Sequence, residues 1–200
     1  MKLYYIPGTC ALAPHIFARH ADIPLEIVRV DWTADGKFVA GQNYLQINRK
    51  GKVPALDTGD MLVTETQVIL QYLAGLDRSR RGVATDTVDW PLLETLNFIA
   101  TEIHKAFSPL WLPSLGEGSA RAEQIGVLTR NFQTFEQLLG DEPYLLGDRF
   151  SVADAYAYVV LRWCDVHRID LADFARIKAY LARVVQLPAV RQALDEEAST

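Results

Sequence analysis

Cys10 follows a short apolar strand, Leu3-Tyr4-Tyr5-Ile6, and a turn, Pro7-Gly8-Thr9, and it opens a helix expected over roughly Ala11–His20. A helix N-terminus carries free N–H groups and a positive dipole end, so a thiol placed there is expected to have a lowered pKa. The same groups would equally stabilise a thiolate brought by a ligand. No second cysteine follows in Cys10-Ala11-Leu12-Ala13, which argues against dithiol exchange; a buried, inert cysteine is the alternative. Further along stands Val53-Pro54-Ala55-Leu56, and eight residues after Leu56 comes Thr64-Glu65-Thr66. Pro54 has no N–H to give a ladder, and a cis bond there would turn the N–H and C=O of Val53 toward a ligand backbone. The pair Glu65-Thr66 opens an apolar helical run whose N-terminal N–H groups suit a carboxylate, while Glu65 suits an ammonium. One end docks a peptide edge and the other grips an amino acid head group. The implied ligand is a short peptide with a free α-amino acid end, against the plainer reading of strand, turn and capped helix.

A second constellation lies on a later helix. Asn97, Thr101, His104 and Lys105 fall at i, i+4, i+7 and i+8 and so share a face at about 100° per residue. That face is offset from the apolar stripe Leu93, Leu96, Ala100, Ile103, Phe107 and Leu110, so one helix packs with one side and offers donors with another. A solvated face is the alternative for Asn97, Thr101 and Lys105, and a structural histidine for His104; the bulky Phe107 and Trp111 beside His104 suit a cleft wall. Arg49, Lys50 and Lys52 put three cations beside Val53, able to attract an anionic small ligand or simply to solvate a loop. His15, His20 and His167 form no metal spacing with Cys or carboxylates, and no metal is expected.

The elements that must position these groups change character midway. From 1 to 77 strand and helix signals alternate: Leu25–Val30 has period two, a polar loop is expected over Thr33–Lys37, and a short helix near Gln42–Ile47. Two strands, Val53–Leu56 and Met61–Val63, flank a hairpin turn, Asp57-Thr58-Gly59-Asp60, before a closing helix. This order predicts an α/β domain with a mixed four-stranded sheet. Residues 78–86, with Arg78-Ser79-Arg80-Arg81-Gly82, read as a linker. From 87 to 200 the period is helical throughout, giving an all-α domain. Ile125, Leu128, Phe132, Phe135 and Leu139 make a second stripe, Ser151 and Asp154 carry a capping signature before a helix from Val152 to about Val166, and Pro188 starts a last helix.

With 200 residues, half of them hydrophobic and 22% charged, the chain can fill a sizeable core. A net charge of −5 gives no footprint for nucleic acid or an anionic membrane, and no run approaches the ~20 apolar residues of a span. Met1-Lys2-Leu3-Tyr4-Tyr5 enters a strand directly, without the pattern of a secretory signal, and two distant cysteines suit a reducing cytoplasm.

Together these residues resemble a glutathione transferase of the bacterial beta class. The likeness rests on Lys2-Leu3-Tyr4-Tyr5…Pro7-Gly8-Thr9-Cys10-Ala11-Leu12-Ala13-Pro14-His15, on Val53-Pro54-Ala55-Leu56 with Thr64-Glu65-Thr66, and on Asn97 through Lys105. It extends to Tyr144-Leu145-Leu146-Gly147-Asp148…Ser151-Val152-Ala153-Asp154 and so covers essentially the whole chain. The resemblance implies a thioredoxin-like first domain with glutathione as co-substrate and no cofactor. It implies that Cys10 contacts the glutathione sulfur or forms a mixed disulfide with it, and that His104 approaches it from the α domain. Val53 would pair with the cysteinyl backbone beside Pro54, and Glu65 and Thr66 would take the γ-glutamyl end. Lys37 and Lys52 join the glutathione set with Thr101 and Lys105, while Asn97 would come from the partner subunit of a homodimer. Two departures stand out: Arg49 replaces a proline of the class, and Asp35 stands nearest a class lysine, with Lys37 two residues on. The implied activity is addition of the thiolate to small hydrophobic electrophiles, with glutathione-dependent thiol–disulfide exchange through Cys10 beside it. The alternative is a non-catalytic protein of the same fold that binds glutathione or hydrophobic ligands.

Overall fold

The computed structural model describes residues 1–77 and 88–199. The linker expected at 78–86 lies outside the described residues. By packing the chain divides into one unit of Met1–Asp86 with Gln186–Thr200 and a second of Thr87–Val185.

The first unit is built on a mixed four-stranded sheet. Its β1 (Lys2–Tyr5) runs parallel to β2 (Glu26–Arg29), joined by helix α1 (Leu12–His20). A three-stranded antiparallel sheet follows, of β3 (Asp31–Thr33), β4 (Gly36–Val39) and β5 (Gln42–Asn43). The large sheet is completed by β6 (Ala55–Asp57) and β7 (Leu62–Thr64), in the order β2-β1-β6-β7 with the last two pairings antiparallel. Helix α2 (Thr66–Leu76) closes the run. Leu3 and Tyr5 alternate with half-exposed neighbours along β1, and both are fully buried, as a strand covered on one face requires.

The structure departs locally from three of the expectations. The segment Thr33–Lys37 is the tip of a hairpin rather than a polar loop, because Trp32, Phe38 and Val39 favour strand and Gly36 takes φ 135°, open to glycine at little cost. Of the helix expected at Gln42–Ile47 only a single 3₁₀ turn forms, Tyr44–Gln46, capped by the Asn43 side chain accepting from the Leu45 N–H. The strand after Pro54 starts at Ala55, since proline cannot join the ladder.

The second unit is helical throughout its described residues. Helix α3 (Trp90–Phe98) runs directly into a π-helical segment, Ile99–His104, and then a single turn, α4 (Lys105–Phe107). Two 3₁₀ turns lead to the long α5 (Ser119–Leu139), which buries Leu128, Phe132, Phe135 and Leu139 as its stripe requires. The apolar run after Ser151 is α6 (Val152–Leu161), every residue of it buried, followed after Arg162 by a short α7 (Trp163–Val166). Burying Val152, Val159, Val160 and Leu161 contributes roughly 1.5–3 kcal/mol each. Helix α8 (Ala175–Val184) packs on α5 and α6.

At the start of α6 the Ser151 N–H donates to Asp154 Oδ2 at 2.9 Å, the reciprocal half of the expected capping box. Asp154 is fully buried and also accepts from the Leu145 N–H (2.9 Å) and the Tyr180 hydroxyl (3.1 Å). The last helix, α9 (Pro188–Ala198), begins at Pro188 as expected but packs against α1, within the first unit. The sequence boundary assigned it to the helical domain, since periodicity reports a helix and not the surface it covers.

Candidate functional site

In the first unit, the turn after β1 delivers Cys10. Gly8 takes φ 74°, the Thr9 hydroxyl donates to the Ile6 carbonyl at 2.7 Å, and the Gly8 N–H donates to Glu197 Oε2 on α9 at 3.2 Å. The Cys10 thiol then points at the Val53 carbonyl, 3.7 Å away, and hydrogen-bonds the Thr66 side chain. Three segments distant in sequence thus meet at one sulfur.

That meeting overturns one expectation. Burial pushes the Cys10 thiol up to about 11, against the lowering effect of hydrogen bonds from Thr66 and the backbone, with the Glu65 charge adding to the rise. With the side chain 8% exposed, desolvation outweighs the helix terminus, and Cys10 is a protonated thiol at neutral pH.

The Val53–Pro54 bond is cis, and β6 begins two residues later, so the Val53 backbone stands outside the ladder. Its position is fixed from behind: the Lys52 carbonyl accepts from the Tyr44 hydroxyl at 3.0 Å and from Asn48 Nδ2 at 2.7 Å. Tyr44 is itself fully buried against Val30 and Ala55, a small core under the binding edge. Sequence alone marks neither Tyr44 nor Asn48 as part of the site, because their value lies in contacts and not in type or spacing.

Glu65 caps α2 with φ 71° and ψ 123°. Such a backbone costs a non-glycine residue about 1–3 kcal/mol and recurs where function requires it. Its carboxylate is exposed and accepts from Lys50 Nζ at 2.6 Å, which also reaches the Thr64 hydroxyl at 2.9 Å. Lys37 donates to the Gly51 carbonyl at 2.7 Å and lies 4.9 Å from the centre of the Trp32 ring. Desolvation, then the charge of Lys52, lowers the Lys37 pKa, so the two lysines sense each other beside the Val53 edge. The first unit therefore gathers Cys10, Lys37, Lys52, Val53, Pro54, Glu65 and Thr66.

The second unit carries Asn97, Thr101, His104 and Lys105 on α3, the π segment and α4. The π segment corrects the regular helix face expected for them. The Lys105 N–H donates to the Ala100 carbonyl, an i→i−5 bond, so the angular step through the segment departs from that of an α-helix. Asn97, Thr101 and Lys105 are exposed and His104 is not. The Thr101 hydroxyl turns back toward the Asn97 carbonyl at 3.0 Å.

His104 Nδ1 lies 2.6 Å from the Tyr156 hydroxyl on α6. Its ring meets Tyr156 edge-on at 90° and Trp163 at 70°, with centroids 5.7 and 5.0 Å apart. Burial first, and the Lys105 charge second, pull the His104 pKa down to about 4, so the imidazole is neutral at physiological pH. Beyond it an aromatic run continues: Trp111 packs edge-on to Trp163 at 5.6 Å and to His167 at 4.3 Å.

Comparison with known proteins fits this arrangement. Residues 1–75 match the model of the glutathione S-transferase N-terminal domain and residues 98–188 that of its C-terminal domain. The chain is 37% identical to glutathione S-transferase GstA of Escherichia coli O157:H7, covering 98% of each chain. It is 35% identical to a sphingomonad glutathione S-transferase solved with glutathione, covering all of both chains at a TM-score of 0.90. A bacterial beta class enzyme of Sphingomonas chungbukensis is 33% identical, again over both whole chains, with a TM-score of 0.88. The chain belongs to the glutathione S-transferase family, and the beta class is among its close structural neighbours.

Proposed function

We propose that this protein is a glutathione transferase that adds the glutathione thiolate to small, soft hydrophobic electrophiles. The observation that carries the reading is the Cys10 thiol standing 3.7 Å from the Val53 carbonyl and hydrogen-bonded to the Thr66 side chain. In this reading the Val53 N–H and C=O exchange hydrogen bonds with the cysteinyl backbone of glutathione. The N-terminal N–H groups of α2, with Thr66, take the γ-glutamyl carboxylate, and Glu65 takes its ammonium. The Lys50–Glu65 pair is more than half exposed on both sides, so exchanging one cation for another there costs little. Lys37 and Lys52 attract the glycyl carboxylate.

Cys10, held as a thiol, donates to the glutathione sulfur instead of attacking, and His104 stabilises the thiolate as it forms. Asn97, Thr101 and Lys105 complete the binding set, with Asn97 supplied across the two-fold axis of a homodimer. The aromatic run Trp111–Trp163 offers the apolar surface for the electrophile. A reducing cytoplasm suits two buried free cysteines. No described helix is long and apolar enough to cross a membrane.

The test is calorimetric binding of glutathione together with steady-state conjugation to chlorodinitrobenzene. Saturable binding and turnover are expected. His104→Ala should lower conjugation by up to ~10²-fold, as for loss of one positioned polar group. A chain that neither binds glutathione nor conjugates it would reject the proposal, and one that binds without turnover would be a carrier of the same fold.

A further inference from the structure

Among the described residues, the hydrogen-bond partner of His104 is the Tyr156 hydroxyl. Tyr156 is 2% exposed, sits in the second turn of a helix buried along its whole length, and reaches His104 from 52 positions away. Two aromatic rings hold the imidazole edge-on, so its plane is fixed and only the placement of its proton is open. A neutral imidazole has one N–H and one lone-pair nitrogen, and the hydrogen bond at one nitrogen selects which. A phenol is a strong donor and a weak acceptor, because its oxygen lone pair is delocalised into the ring. An imidazole lone pair is a strong acceptor. At 2.6 Å the favoured arrangement is therefore O–H···N.

We propose that Tyr156 is a positioning residue: its hydroxyl donates to His104 Nδ1, fixes the Nε2–H tautomer, and so makes His104 a neutral hydrogen-bond donor to sulfur, unable to act as a base. The catalytic part rests on the reading of His104 given under Proposed function. No proton moves in this role; Nε2–H is donated to the thiolate and retained. Burial, which holds the ring neutral at physiological pH, agrees with it. The arrangement also divides labour with Cys10. In this reading two protonated donors, one sulfur and one nitrogen, stabilise charge on the substrate thiolate, and the proton that the glutathione thiol loses passes to solvent water.

The experiment is nitrogen-15 NMR of histidine-labelled full-length protein, with and without S-methylglutathione, beside kinetics of three variants. The wild type should show His104 Nδ1 at an unprotonated, pyridine-type shift and Nε2 as a protonated, pyrrole-type nitrogen. Tyr156→Phe should move both signals toward the average of the two tautomers. It should lower kcat by about tenfold while leaving KM for glutathione within about twofold, as expected for a group that orients a reacting side chain. His104→Gln, whose amide N–H can stand in for Nε2–H but cannot take a proton, should keep more activity than His104→Ala. A protonated Nδ1 in the wild type overturns the assignment whatever the variants do. If His104→Ala conjugates as well as wild type, the catalytic reading of His104 fails and Tyr156 loses its part in the reaction, even with the tautomer as stated.

Discussion

At the scale of single residues, chemistry here depends on how much water each group has lost. Cys10 has the residue type and position of an activated thiol, yet burial lifts it to about 11. Two consequences can be measured. Alkylation of Cys10 by iodoacetamide, followed by mass spectrometry, should rise about tenfold per pH unit between roughly pH 7 and 9, since only the thiolate reacts. A plateau near neutrality would mean an activated cysteine. Cys10→Ala should accordingly keep a substantial part of conjugation while losing any mixed disulfide with glutathione; loss of conjugation with normal glutathione binding would make Cys10 the main thiolate activator. His104 moves the other way. Its folded pKa of about 4 lies below the ordinary 6.5, so the neutral ring contributes stability that is full above 6.5 and is lost as pH falls toward 4. His104→Gln should remove that part of the acid sensitivity, read from urea midpoints at pH 7 and 5.

At the scale of elements, two helices are secured by carboxylates of opposite character. Asp154 is fully enclosed, and desolvation raises its pKa even though Leu145, Ser151 and Tyr180 all donate to it. Asp154→Ala would strand those donors in the core. A loss on the order of 3 kcal/mol or more is expected in urea unfolding, against ~1 kcal/mol for Ser151→Ala, which removes one hydroxyl donor to Asp154 and leaves the others in place. On α9, desolvation works to raise Glu196, but hydrogen bonds from Gln192, His15 and Arg19 hold it below the usual carboxylate range. His15 is fully buried with Nε2 2.6 Å from that carboxylate, and Arg19 Nε donates to both its oxygens. A depressed carboxyl contributes stability above its unfolded pKa and loses it on acidification. The melting temperature of the wild type should therefore fall more steeply below about pH 4.5 than that of Glu196→Gln.

At the scale of the molecule, the proposal adds a second copy of the chain. Asn97 lies near the end of α3 with its side chain exposed, free to serve a neighbour's site. A closed C2 dimer is expected, with light scattering giving about twice the 22.4 kDa chain mass at assay concentrations. Asn97→Ala should weaken glutathione binding without altering that mass; a monomer at full activity would remove the shared-site role.

Periodicity and punctuation in the sequence determined the alternation of strand and helix to 77, the helical second half, the capping box at Ser151 and the start of α9 at Pro188. Each is local: a proline, a cap or an apolar repeat acts within a turn or two of itself. Residue type likewise marked Cys10, Val53-Pro54 and Glu65-Thr66, since a thiol, a missing donor and a helix start can be read without neighbours. What needed the tertiary structure was every property set by distant partners. The hairpin at Trp32 formed because β4 pairs with it, and α9 joined the first unit because α1 covers it. The π segment, and the burial of His104 beside exposed Asn97 and Thr101, are likewise settled only by packing. The positive φ of Glu65, the support of Lys52 by Tyr44 and Asn48, and the pairing of Tyr156 with His104 leave no periodic trace. The Cys10 pKa is the sharpest case, for a helix terminus is visible in sequence but desolvation is a sum over segments that only the fold brings together.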